Sequence, residues 1–145
     1  MAELRFCPAG EPDIPVIFDL CRALILRYED PSAVELEKVL AWIEGKIRES
    51  IREYTCVRLE GRTVGYYHLA PAEGITELDD FYILPAFRGQ GIGTRVLEKL
   101  CREAADPIFL YVFTQNTGAV RLYERFGFRK VKTVCPTRMI LQRGE

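Results

Sequence analysis

The chain has 145 residues, of which 48% are hydrophobic and 28% charged, a length and composition typical of one globular domain spanning residues 1–145. The formal net charge of −1 provides no overall basic field for binding a nucleic acid backbone. No apolar run is long enough to span a membrane, and the first residues do not resemble a secretion signal, so we expect a cytoplasmic protein.

The cysteines do not form a metal-binding pattern. The five cysteines include no Cys-x-x-Cys pair, and the chain has a single histidine, His68. A zinc site of ordinary spacing is therefore not expected, and the cysteines are predicted to be free thiols in a reducing compartment. His68 is expected to be a satisfied or surface side chain, with a reactive Cys–His pair as the alternative.

The first half of the chain predicts one strand followed by two helices. Residues 4–7 alternate in polarity as a strand does, and Asp13 marks the start of a helix with apolar residues at helical spacing. The stretch from Ser32 to Glu35 has the pattern of a capping box and predicts a second helix, which extends to about Glu53. Trp42 on this helix is expected in the core or on the wall of a groove.

A three-stranded meander follows these helices. Residues 54–59 and 62–70 are rich in β-branched and aromatic side chains, and they are joined by Glu60-Gly61, a pair typical of tight hairpins. A turn at residues 71–74 leads to a third strand at residues 75–84. This strand runs into a glycine-rich loop.

The glycine loop, Arg88 to Thr94, predicts an anion site. Gly89, Gly91 and Gly93 have no Cβ, so backbone N–H groups at the start of the following helix can surround a phosphate or pyrophosphate. The loop lacks the Lys and Ser/Thr pair of a P-loop, and its glycines do not fit the dinucleotide-binding spacing. Both common phosphate loops are therefore disfavoured.

The remainder of the chain predicts two further helices and three further strands. A helix ends near Ala104, and residues 108–113, which are all apolar, predict a strand buried on both faces and parallel to the strand at 75–84. Asn116 caps a short helix, and two last strands are predicted at residues 128–134 and 137–141. The order of elements is βααβββαβαββ.

Two segments resemble the GNAT superfamily of acyl-CoA-dependent N-acyltransferases. The pattern Arg88-x-x-Gly91-x-Gly93, entered from a strand and followed by a helix, resembles the pyrophosphate-binding signature of that superfamily. A second GNAT pattern is matched by Asn116, Ala119, Tyr123, Gly127 and Phe128. The order of elements is also the GNAT order. The resemblance implies an α/β (α+β) fold with a central mixed, mostly antiparallel sheet of about seven strands and helices on both faces.

The resemblance implies acetyl-CoA as the cosubstrate and assigns residues to it. Arg88 would face the pyrophosphate, and the loop would supply N–H groups and a hydroxyl, from Gly89, Gln90, Gly91, Ile92, Gly93 and Thr94. Backbone N–H groups near Tyr82 and Ile83 would meet the thioester carbonyl, where GNAT strands bulge and separate. Asn116 would hydrogen-bond the pantetheine arm or a water, although helix capping alone also explains this residue. Arg95 and Arg125 are expected to be solvated on exposed helix faces, with contact to the nucleotide phosphate as the alternative.

Acyl transfer to an amine also needs an acid and a base. The resemblance places the Tyr123 hydroxyl near the thioester sulfur, where it would protonate the departing thiolate, and a tyrosine that only packs or positions is the alternative. Glu77 and Asp79 lie two apart on a strand and are expected to share one face, with Asp80 on the other. Glu77 is the first candidate base and Asp79 the second, against the alternative of a solvated strand end.

We therefore expect an N-acetyltransferase that moves an acetyl group from acetyl-CoA to a primary amine, on a small molecule, peptide or protein, by direct attack in a ternary complex. The alternative is a non-catalytic acyl-CoA-binding sensor or partner-bound module. GNAT relatives are often dimers, so a homodimer stays open, and no metal, nucleic acid or membrane partner is expected. The acceptor is expected between residues 27–31 and 134–137.

Overall fold

The computed structural model describes residues 2–145 and has the predicted order of elements. The strands and helices of these residues, in chain order, are β1 (Leu4–Pro8), α1 (Ile14–Tyr28), α2 (Leu36–Ser50), β2 (Tyr54–Leu59), β3 (Arg62–Ala72), β4 (Ile75–Ile83), α3 (Ile92–Glu103), β5 (Ile108–Phe113), α4 (Thr117–Arg125), β6 (Arg129–Cys135) and β7 (Arg138–Arg143). Short 3-10 turns occur at residues 11–13, 51–53 and 85–87.

The strands form one seven-stranded sheet in the order β1-β2-β3-β4-β5-β7-β6. Every neighbouring pair is antiparallel except β4 and β5, which are parallel as predicted. The β4–β5 register contains only Thr76 with Ile108 and Glu77 with Phe109. Beyond Glu77, β4 has no partner on β5, so the sheet is split at its centre.

Helices cover both faces of the sheet, as predicted. On one face α3 and α4 pack against a core that includes Val96, Leu97, Leu110, Phe128 and Leu141. On the other face α1 and α2 pack against the β1–β4 half, around Ile17, Ile47, Tyr54, Tyr66 and Tyr82. In the two cores, aliphatic and aromatic side chains are almost completely buried. Burial of apolar surface is the main favourable contribution to the free energy of folding.

α1 and α2 leave most of the β5-β7-β6 half of the second face uncovered. The core under α1 and α2 includes no buried residue from β5, β6 or β7. Tyr111 on β5 is consequently 49% exposed, while Leu110 and Val112 on either side are buried. The prediction that residues 108–113 are buried on both faces is therefore wrong, because α1 and α2 cover only half of the sheet.

The predicted capping box does not open α2. This helix begins at Leu36 with Glu35 as its N-cap, and no side chain bonds to its first turn. The Ser32 hydroxyl instead donates to the Asp30 carboxylate at 2.7 Å within the preceding turn. Asp30 also accepts from the Ser32 N–H at 2.9 Å, so Ser32 is held in a turn that precedes the helix. Ser32 therefore does not occupy the N-cap position, which Glu35 takes.

Candidate active site

A cleft lies where β4 and β5 separate. It has a volume of about 410 Å³ and is lined by residues of α1, α2, β4, β5 and α4, together with Arg138 of β7. Five of the predicted site residues line it: Glu77, Asp79, Tyr82, Asn116 and Tyr123. The glycine loop lies outside this lining, at the start of α3.

β4 carries a bulge at Asp79. Leu78 and Asp80 pair with two consecutive residues of β3, so Asp79 has no residue opposite it. The extra residue turns Asp79 and Asp80 to the same face, where Asp79 contacts Lys46 of α2 and Asp80 accepts a hydrogen bond from Tyr54. The prediction that Asp80 points away from Asp79 is wrong, because strand alternation fails at a bulge.

A lysine and a histidine hold Asp79. Lys46 Nζ and His68 Nδ1 lie 2.5 Å and 2.9 Å from its Oδ2 atom. Burial alone would raise the pKa of Asp79, but hydrogen bonds from His68 and Lys46 hold it below its ordinary value. A carboxylate with a lowered pKa and two bound donors is a weak proton acceptor.

His68 is the satisfied histidine that the sequence predicted. It is buried, and its ring stacks on Tyr54 with centroids 4.6 Å apart. Its second nitrogen, Nε2, lies 3.2 Å from Glu53. Because Asp79 and Glu53 occupy the two ring nitrogens, the alternative of a reactive Cys–His pair has no geometric support.

Asp80 is tied to two tyrosine hydroxyls. Tyr54 and Tyr82 both donate to it, the second at 3.0 Å. Burial raises the pKa of Asp80, and the neighbouring charge of Asp79 raises it further. The Tyr82 side chain is therefore committed to this carboxylate, which leaves the backbone of Tyr82 for any contact with a ligand.

Glu77 is the carboxylate of this group with no hydrogen-bond partner within residues 2–145. It is half-buried and lies opposite Phe109, at the last paired position before β4 and β5 separate. Burial raises the pKa of Glu77, the charge of Asp79 raises it further, and Lys46 opposes the shift. A free carboxylate with a raised pKa is the stronger base of the two candidates.

α4 places Asn116 and Tyr123 on the opposite wall of the cleft. Asn116 caps the helix by accepting from the Ala119 N–H at 3.5 Å, a long hydrogen bond, so its side chain serves the cap and also lines the cleft. The Tyr123 ring meets Phe128 edge-on, with centroids 5.5 Å apart. Burial, with Asp80 adding to it, raises the pKa of the Tyr123 hydroxyl far above its usual value, so it stays protonated.

The glycine loop has the geometry of an anion cradle. Gly89 and Gly91 adopt positive φ angles of 77° and 78°, which favour glycine, and a Cβ at either position would meet nothing within 4 Å. α3 begins at Ile92 with Gly91 as N-cap and no side chain capping its first turn. The unpaired N–H groups of that turn and the open space before them fit a pyrophosphate.

Two arginines lie near the loop. Arg88 Nε donates to the carbonyl that ends β4 at 2.9 Å, which fixes the loop against the strand. Arg125 of α4 donates to the Thr94 hydroxyl at 3.4 Å, whereas Arg95 donates to the carbonyl of Ala2 at 2.7 Å. Arg125 is exposed, as expected, and its contact with Thr94 places a positive charge at the start of α3. No local pattern distinguishes it from Arg95, since packing of α4 on α3 decides its position.

The cleft lining also includes Trp42, which the sequence placed in the core or on a groove wall, and Arg138, which the sequence did not single out. Trp42 is 68% exposed and lies on the cleft wall, with Lys46 Nζ 5.9 Å from its ring centroid. It is therefore groove wall and not core. Arg138 also lines the cleft, and Thr137 beside it donates to Glu29 at 2.7 Å. The two segments predicted to flank the acceptor thus touch each other.

A family model described as the Acetyltransferase (GNAT) family matches residues 18–128. The chain belongs to this GNAT acetyltransferase family. The resemblance drawn from the glycine loop and from the Asn116–Phe128 segment is thereby confirmed, and the family consists of acyltransferase enzymes.

Curated GNAT relatives match parts of the chain. The spermine/spermidine N(1)-acetyltransferase of Bacillus subtilis (strain 168) is 36% identical over 83 residues, which are 48% of this chain and 55% of that protein. The thialysine N-epsilon-acetyltransferase of Mus musculus is 39% identical over 54 residues, which are 34% of this chain and 32% of that protein. The chain therefore spans about half the length of the first relative and less of the second.

Solved GNAT structures share the fold over nearly the whole chain. The PaiA N-acetyltransferase of Thermoplasma acidophilum in complex with coenzyme A has a TM-score of 0.72 at 17% identity, covering 99% of both chains. The ribosomal-protein-S18-alanine N-acetyltransferase of Escherichia coli has a TM-score of 0.68 at 18% identity, covering 97% of this chain and 93% of that one. A Salmonella typhimurium neighbour with acetyl-CoA has a TM-score of 0.64 at 18% identity, covering 97% of this chain and 93% of that one.

The described part of the chain has neither a helix suited to a membrane nor a cluster suited to a metal ion. Within residues 2–145, no helix combines the length and the apolar character needed to cross a membrane. The same residues contain no group of three or more His, Cys, Asp or Glu side chains that could hold a metal ion.

Proposed function

We propose that residues 1–145 form one catalytic domain that transfers an acetyl group from acetyl-CoA to a primary amine by direct attack in a ternary complex. One observation carries this proposal: the split between β4 and β5 gives Glu77 and the Tyr123 hydroxyl a common cleft. The names of the two curated relatives, which describe acetylation of a polyamine and of a lysine analogue, also favour an amine acceptor.

Glu77 is the proposed base. An alkyl ammonium has a pKa of about 10, so the acceptor must lose a proton before it attacks. Glu77 accepts that proton, directly or through one water, because its carboxylate is free and its pKa is raised. Asp79 and Asp80 are engaged by other side chains and contribute negative potential that attracts the ammonium.

The backbone of β4 is proposed to stabilise the acyl-transfer step. Bound acetyl-CoA would supply the thioester that is attacked. β4 lacks partners on β5 after Glu77, so N–H groups near Tyr82 and Ile83 are the proposed donors to the negative charge that develops on the acetyl oxygen. A fixed donor of this kind typically contributes about 3 kcal/mol.

The remaining groups are proposed to bind the cosubstrate and to protonate the thiolate. Tyr123 stays protonated and donates to the departing sulfur. Asn116 binds the pantetheine arm beside it. The pyrophosphate lies on the first turn of α3, from Gly89 to Thr94, with Arg88 and Arg125 supplying positive charge.

Two measurements test this function. Acetyl-CoA at 100 times its dissociation constant should add about 2.7 kcal/mol to the free energy of unfolding, seen as a rise in melting temperature. Acetylated product should then form with at least one acceptor from a panel of alkylamines, diamines, spermidine, ω-amino acids and peptides with free N-termini, detected by mass spectrometry. Absence of stabilisation by any short acyl-CoA would refute the proposal.

The same panel separates catalysis from the alternative of a non-catalytic acyl-CoA sensor. Strong stabilisation by acetyl-CoA without product from any acceptor would favour the sensor. The free Glu77 carboxylate and the protonated Tyr123 hydroxyl, which share the cleft, favour turnover.

A further inference from the structure

Arg138 lies at one end of the cleft with a donor that is not used. Its Nε atom is buried and has no hydrogen-bond partner within residues 2–145. Glu29 Oε2 is 3.8 Å away, which is beyond hydrogen-bond distance. The other oxygen of Glu29 accepts from the Thr137 hydroxyl at 2.7 Å and from the Asp30 N–H at 3.2 Å. Buried polar groups normally have partners, so the unused donor indicates a ligand contact.

A ligand in the cleft reaches Arg138 more easily than Glu29. The Arg138 side chain is 42% exposed, whereas that of Glu29 is 11% exposed. Glu29 lies just after the end of α1, where Tyr28 stacks on Phe113 with centroids 5.7 Å apart. The other cation in the described cleft lining, Lys46, lies 2.5 Å from a carboxylate of β4, whereas the Arg138–Glu29 ion pair is 3.8 Å long. Arg138 is therefore the cation that this lining offers to an anionic group.

Glu77 and Arg138 lie on the same face of the sheet, on opposite sides of β5. Glu77 pairs with Phe109 and Arg138 pairs with Phe113, so both share the face of these phenylalanines. Four residues of extended chain and two strand spacings place their Cα atoms roughly 16 Å apart. Tyr111 lies between them, 49% exposed, and lines the cleft. A molecule that contacts both ends must carry its two charged groups at opposite ends of its length.

Building on the proposed function, we propose that the acceptor is an ω-amino acid type of molecule, with a primary amine at one end and a carboxylate at the other. The carboxylate binds the Arg138 guanidinium, whose planar fork suits it, while the amine lies at Glu77 and the body crosses Tyr111. A second ammonium in place of the carboxylate would meet Arg138 with like charge. Arg138 is then a specificity residue for the acceptor.

Acceptors of matched length test this preference. With acetyl-CoA saturating, 6-aminohexanoate, hexylamine and 1,6-diaminohexane differ only in the group at one end. Since hydrogen bonds to charged groups are the strong ones, kcat/KM for 6-aminohexanoate should exceed that for the other two by about 10- to 100-fold. Shorter and longer ω-amino acids then show which spacing fits the cleft.

Variants of Arg138 test whether this residue is responsible. Arg138→Gln should lower kcat/KM for 6-aminohexanoate by at least about tenfold, mainly through KM, and leave hexylamine unchanged. Arg138→Lys keeps the positive charge but not the planar guanidinium, so its kcat/KM for 6-aminohexanoate should fall less than that of Arg138→Gln. Arg129→Gln is the control, because Arg129 is exposed on β6 and outside the cleft lining. Stabilisation by acetyl-CoA, which should persist in all three variants, verifies that each is folded.

Three results would overturn the inference. The first two are equal kcat/KM for the three acceptors and a preference for the diamine. The third is a defect of Arg138→Gln that is as large with hexylamine as with 6-aminohexanoate. Such results still include turnover of an amine, so they leave the proposed function standing. Failure of the proposed function looks different, because the wild-type chain would then acetylate no member of the panel.

Discussion

Replacing Tyr123 by phenylalanine should separate catalysis from stability. The substitution removes only the hydroxyl, which has no hydrogen-bond partner within residues 2–145, and retains the ring that meets Phe128 edge-on at 5.5 Å. Because no protein hydrogen bond is lost and the ring packing is kept, the free energy of unfolding should change by less than about 0.5 kcal/mol. The transfer step loses a positioned proton donor, so kcat should fall by about 10²- to 10⁴-fold.

The assay must avoid reagents that react with thiols. All five cysteines are free, and a hydrogen bond with Thr137 lowers the pKa of Cys135 to about 7, so a thiol reagent would also label the protein. Acetylated product and CoA should instead be separated by chromatography and measured by mass spectrometry. Unchanged kcat in a folded Tyr123→Phe variant would refute the acid role. Loss of stability by more than 1 kcal/mol or so would show that the hydroxyl is structural.

Three further predictions test the base, the strand geometry and the buried histidine. Glu77→Gln should lower kcat/KM by about 10²- to 10⁴-fold and remove the acidic limb of its pH profile, and retention of that limb would assign it to another group. Gly65→Ala should cost about 1–3 kcal/mol in denaturant unfolding, because its Cβ would lie 2.5 Å from the Tyr82 carbonyl, and a neutral result would show that β4 shifts freely. Burial lowers the pKa of His68, but its two carboxylate partners raise it above 6.5 overall, so its stabilising charge is fully present below pH 6.5 and lost as pH rises through the folded-state pKa. The wild type should therefore exceed His68→Gln in unfolding free energy by more at about pH 5.5 than at about pH 8.5, and an equal difference would contradict the ionic role.

The sequence determined the elements whose signals are local. The hairpin pair Glu60-Gly61, the apolar spacing of the helices and the glycine loop depend on neighbours along the chain, so the order of elements was predicted and is confirmed. The capping box predicted at Ser32 was wrong because Asp30, another local neighbour, holds Ser32 in a turn before the helix begins. The family also followed from local patterns, since the pyrophosphate loop and the Asn116–Phe128 segment are each continuous in sequence.

Tertiary structure alone decided the chemistry at the centre of the cleft. Alternation along β4 predicts that Asp79 and Asp80 point apart, but the bulge is set by pairing with β3 and brings them together. Which carboxylate is free depends on Lys46 and His68, which are distant in sequence and bind Asp79. Arg138 could be proposed as an acceptor contact only from the pairing of β7 with β5, which brings it to the cleft. Charge, burial and hydrogen bonding depend on such long-range neighbours, so the sequence indicated the donor, and the folded chain was needed to infer the acceptor.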